Sequence, residues 1–191
     1  AQLINPADAF GAADFNVRLS RTMKLPFRLL GISKGNHADT QVPLLNYSQT
    51  DHDLKCVYTL TDELLKNADQ AEKARKLTLD RSRPSMGLKG TYGLFASKEW
   101  WRSVNSRRMP LRFVTGIITR AYEAGQDHTG LANTIELRTP NAQTIEAGIY
   151  TNEPRDSDLF REGRYVELVY ALDPLKSGGA SKVALEMAIS V

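Results

Sequence analysis

The most regular pattern in the chain lies near its end, where Val183, Leu185, Met187 and Ile189 alternate with Ala184, Glu186, Ala188 and Ser190. A period of two with one apolar side predicts a half-buried strand. Three segments upstream share it. Arg164–Leu172 places Val166, Leu168, Tyr170 and Leu172 on one face, Gln143–Thr151 places Ile145, Ala147 and Ile149, and Asn133–Thr139 places Ile135 and Leu137. The longest segment, Leu111–Glu123, is apolar on both faces, with Phe113 and Ile117 on one and Val114, Ile118 and Tyr122 on the other. Gly116 in its middle suits a curved strand that bends at the glycine and serves two packing surfaces. Five strands joined by short turns, with one helical turn at 156–160, predict an antiparallel meander. A small barrel of the SH3-like or OB-like kind would close that sheet and protect its edges.

Ahead of the strands the period changes. Leu64, Leu65, Ala68, Ala71 and Arg75 fall at helical spacing and predict one helix over about 61–79. Asp62 and Glu63 open it, Lys73, Arg75 and Lys76 close it, and Thr59 or Thr61 can cap it. Leu54–Leu60 alternates like a strand. Asp80–Gly90 is a basic linker with Pro84, and Ser97 caps a second helix that ends before Pro110. Residues 1–50 hold only short, proline-interrupted apolar pieces (24–32 and 41–47) and a possible helical turn after Pro6, so they read as an arm. The fold class expected is α+β. An N-terminal arm with short strands and one helix fills 1–90, and a helix plus five-stranded antiparallel barrel fills 91–191.

Composition changes this picture little. A hydrophobic fraction of 41% and a charged fraction of 25% suit a globular chain. The single cysteine, Cys56, excludes an internal disulfide. No apolar run is long enough to span a bilayer, and the first ten residues do not resemble a signal peptide, so a cytoplasmic location is expected.

Charge adds more. Residues 73–120 hold twelve Lys/Arg against Asp80 and Glu99, a net of +10 in a chain whose total is +3. Such asymmetry points to an anionic partner or to a solvated basic face. Aromatic residues lie among these cations, and single-strand binders pair a cationic groove with stacking rings. The candidate partner-binding residues are Lys89, Tyr92, Lys98, Trp100, Trp101, Arg102, Arg107, Arg108 and Arg112. On a helix Trp100 and Trp101 point about 100° apart, so at least one should face the core.

No catalytic set can be assembled. Asp51-His52-Asp53 with Cys56 falls short of a metal site's ligand count. Asp127-His128 is an acid–imidazole neighbour pair in a polar loop, and adjacent side chains usually point apart. Ser106, Ser177 and Ser181 lie in no nucleophile elbow, and no phosphate-binding glycine motif is present. Asn46-Tyr47-Ser48 spells a glycosylation sequon. The sequence therefore predicts a non-catalytic protein-interaction or assembly module, without cofactor or metal, with a protein partner or self-association. The alternative is a nucleic-acid binder using 73–120.

Overall fold

The computed structural model describes residues 42–45, 52–125 and 130–191. The readings made for residues 1–41, the 46–48 sequon, Asp51 and the Asp127-His128 loop lie outside that range.

The architecture is α+β. Strands β1 (Leu54–Thr59), β2 (Leu111–Tyr122), β3 (Thr134–Arg138), β4 (Thr144–Gly148), β5 (Tyr165–Pro174) and β6 (Ala180–Ser190) form one antiparallel sheet. Its order is β1-β6-β5-β2-β3-β4. Helices α1 (Leu60–Lys66), α2 (Ala68–Leu79) and α3 (Lys98–Asn105) and a 3₁₀ turn at Pro154–Leu159 complete the described elements. The expected strands are present, and a sixth, β1, comes from the region assigned to the arm.

The expected barrel is corrected by the ladder. β1 and β4 are the sheet's two edges and do not pair with each other, so the sheet is open. One residue bridges part of the gap. After β4, the Asn152 backbone N–H donates to the Val57 carbonyl at 2.8 Å. Its side-chain oxygen accepts the Thr59 N–H at 2.6 Å, and its amide NH₂ donates to the Thr59 carbonyl at 3.2 Å. One asparagine thus meets the outer backbone groups of β1 as a neighbouring strand would. Asn152→Ala should cost about 1–3 kcal/mol, because it strands partly buried backbone groups. Urea denaturation checks the cost, and faster exchange of the Thr59 amide would locate it at this seam.

The expected single helix is broken. Asn67 leaves helical geometry with φ −127° and ψ 60°. Its side-chain amide donates to Glu63 Oε1 at 2.8 Å and its N–H to the Glu63 carbonyl at 2.9 Å. These local bonds compete with continuation of the helix. Both predicted caps form: Thr59 accepts from the Asp62 N–H, and Ser97 from the Trp100 N–H.

Cross-strand register explains the core. Rows such as Val114–Leu168–Met187–Tyr58 and Ile118–Leu137–Ile145 bring the apolar alternations of different strands onto one inner face. Ile118, Leu137, Leu168 and Met187 are almost wholly buried. Tyr150, beyond β4, stacks near Tyr58 and Tyr170 at centroid distances of 5.5 and 6.2 Å. Gly116 pairs with Val166 without interrupting the ladder, and the irregularity in β2 falls later, between Ile118 and Arg120. The glycine's function is therefore close approach to β3, not the bend.

Candidate protein-binding surface

Alternation puts Phe113, Thr115 and Ile117 of β2 on the outer face. Their cross-strand partners Val169, Glu167 and Tyr165 on β5 lie there too, and Glu186 and Ala188 on β6 continue the rows. Part of this face is covered. Strand alternation brings Asp173 to it, and α3 docks there: Trp100 Nε1 donates to Asp173 Oδ2 at 2.7 Å. Glu186, 2% exposed, accepts the N–H groups of Leu44 at 2.7 Å and Leu45 at 3.4 Å.

The rest is open. Phe113 is 51% exposed and Ile117 is 37% exposed, four residues apart on the same side of one strand. Tyr165, opposite Ile117, stacks against His52 at 4.3 Å and donates its hydroxyl proton to Glu167 Oε1 at 3.1 Å. Burial, followed by the nearby Glu167 carboxylate, holds the Tyr165 phenol above its ordinary pKa, so it stays a neutral donor. Towards β3 and β4 the face turns polar. Thr119 donates to Glu136 Oε1 at 2.7 Å, Tyr122 donates to Glu146, and the Arg120 guanidinium sits 4.6 Å from the Tyr122 ring centre. An apolar and aromatic centre with a charged margin is the usual anatomy of a protein interface.

The residues nominated from sequence are brought together only in part: Ser103 joins Tyr92 to Arg108, and the Trp100 and Trp101 rings lie 4.8 Å apart. Trp100 is 0% exposed and Trp101 is 4% exposed, so neither ring is available for stacking. Tyr92 is half-buried, with its carbonyl accepting from Ser103. Lys89, Lys98, Arg102, Arg107, Arg108 and Arg112 are exposed. Arg112 is paired with Tyr170, on the face opposite Phe113. Four of the twelve cations of the basic run have acidic neighbours: Lys73 pairs with Asp69, Lys76 with Glu72, Arg83 with Asp80, and Arg108 approaches Glu99. Two of those acids, Asp69 and Glu72, lie just before the run begins. Among the nominated residues Arg107 reaches the open aromatic, its guanidinium carbon 5.3 Å from the Phe113 ring centre.

Phe113, Ile117 and Tyr165 were not nominated. The signal for two of them was the second apolar face of β2, which in sequence looks the same whether another layer covers it or not. Among the described residues no group of three or more His, Cys, Asp or Glu side chains could hold a metal ion. Cys56 is exposed as a residue, but its thiol is partly desolvated by its surroundings, which raises its pKa, the opposite of an activated nucleophile. No helix among the described residues is long and apolar enough to cross a membrane.

Comparison with known proteins separates the two functional readings. No curated protein matches the chain. A family model described as Immunity protein RhsI2 matches residues 54–190, a span that begins with β1 and ends with β6. That family supports a protein-binding, inhibitory role and gives none to nucleic-acid binding. The chain belongs to the immunity protein RhsI2 family, and what it binds is a protein.

Proposed function

We propose that this chain is a non-catalytic inhibitor that neutralises a toxin by covering it with the open part of its outer sheet face. The observation that carries this reading is the pair Phe113 and Ile117, half in solvent on a rigid central strand with Tyr165 alongside. Scattered exposed apolar residues are ordinary, but an aligned pair beside an aromatic stack makes a patch of the kind partners use. The face is built on strands, so little ordering is needed on binding.

The toxin is identified by co-production: it is the toxin domain whose lethality the wild-type chain suppresses in growing cells. With that domain purified, Phe113→Ala and Ile117→Glu should each weaken binding at least about 30-fold, the range of interface hot spots. Both should leave the unfolding midpoint near that of the wild type, because neither side chain is in the core. Calorimetric titration measures the first and thermal denaturation the second. Unchanged affinity in both variants would mean that the toxin sits elsewhere.

A further inference from the structure

The backbone at Arg107 is in the left-handed region, with φ 59°. It follows Ser106, the C-cap of α3, at the position where helices most often use glycine. The turn is fixed: the Arg107 N–H donates to the Val104 carbonyl at 3.0 Å, and the Met109 N–H to the Ser103 carbonyl at 3.0 Å. An arginine here carries a conformational cost that glycine avoids, and the fold gains no ion pair from it. Arg107 has no carboxylate partner among the described residues, whereas Arg83 and Arg108 do. Its guanidinium lies instead over Phe113, the more exposed of the two apolar residues at the centre of the open face.

Ala96 and Ala142 share the left-handed region, but of these three residues only Arg107 carries a long charged side chain, and strain kept there without an ion pair in return fits a binding residue. A ring under a guanidinium fixes where the charge stands, while the N–H donors lie in the guanidinium plane and remain usable. We infer that Arg107 is the specificity residue of this surface, held on Phe113 to receive a carboxylate of the toxin in a two-point contact. The inference rests on the toxin-binding reading of the face and adds the chemistry of the matching toxin site: an acidic side chain beside an apolar pocket that takes Phe113. Arginine suits the task because its planar fork matches a carboxylate, which the compact lysine ammonium does not.

Arg107→Gly tests this, because it should move stability and binding in different directions. Glycine relaxes the left-handed position, so the unfolding midpoint should stay at or above that of the wild type. Affinity for the toxin domain identified by growth rescue should fall at least about 10-fold, mainly through faster dissociation. Arg107→Lys, which keeps the charge and loses the fork, should fall between the two. A clearly lower midpoint for Arg107→Gly would make the residue structural and overturn the inference. So would wild-type affinity in Arg107→Gly while Phe113→Ala still loses binding, an outcome that spares the surface itself. If both variants bind as the wild type does, the surface reading fails and this inference with it. Binding of a single-stranded DNA of about 20 nucleotides at about 150 mM salt, lost in Arg107→Gly, would replace the carboxylate with phosphate and also overturn it.

Discussion

Trp100→Ala is expected to remove about 3–5 kcal/mol of stability through the lost ring alone. The ring is fully buried, edge-on to Phe95 at 5.2 Å and to Trp101 at 4.8 Å. Among the described residues its N–H is also the only side-chain donor to Asp173, a buried carboxylate whose other oxygen has no partner there. Since whole domains are stable by about 5–15 kcal/mol, this substitution should leave a marginal protein. Trp100→Phe separates the two effects, because it keeps most of the ring and removes the donor. Burial holds the Asp173 carboxyl above its ordinary pKa, and the Trp100 N–H pulls it partly back. A carboxyl with a folded pKa above its unfolded one costs stability as pH rises from about 4 through the folded value, and the cost is constant beyond it. Without the N–H the folded value moves further up. Trp100→Phe should therefore lie closer to the wild type at about pH 4 than at about pH 7.5. Urea denaturation at both values decides it, and an equal deficit at both would mean that the indole N–H does not govern the carboxylate.

The second large effect is expected at Gly116. A Cβ there would stand 2.8 Å from the Arg138 carbonyl oxygen, 3.1 Å from the carbonyl carbon and 3.2 Å from Leu137 Cβ. The nearest obstacle is backbone and cannot rotate away, so β3 would have to withdraw from β2. Gly116→Ala should cost about 1–3 kcal/mol and Gly116→Val more, although valine is the better strand former. Thr119→Ala, which loses one hydrogen bond to Glu136, should cost about 1 kcal/mol. Chemical denaturation of the three variants ranks them. A neutral or stabilising Gly116→Val would show that β2 and β3 are not in close approach at this point.

The two glycine readings show what sequence could and could not supply. That Gly116 mattered was legible, since a glycine inside a β-branched run needs a reason. Which reason was not, because the obstructing carbonyl belongs to Arg138, whose position depends on register. The strands were legible wherever one face is buried and the alternation is strict, as in β6. Openness was hidden, because closure depends on whether β1 and β4 meet, and neither strand carries a mark of it. Asn152, which bridges them, looks in sequence like any loop asparagine. Asn67 breaks the helix by bonding to Glu63, and the apolar period runs through it undisturbed. At the surface, the basic run stood out by its charge, which Asp69 and Glu72 just before it lower only from +10 to +8. The open apolar face did not, because Phe113 and Ile117 obey the same alternation as core residues.

The strand order also governs when this protein can finish folding as it is synthesised. β6 lies between β1 and β5, so Leu54 finds its partner only at Ser190. Contacts so far apart in sequence close slowly, since the loop entropy must be met before the pairing returns anything. Among the described strands, β1 must therefore wait for β6. Until Ala180–Ser190 is out of the ribosome, β1 has no neighbour, and β5 shows its unpaired edge to whatever else is in the cell. A sheet assembled in this way is completed in one step, when β6 arrives, and a chain interrupted before β6 would be a hazard to itself, not a weaker version of the whole.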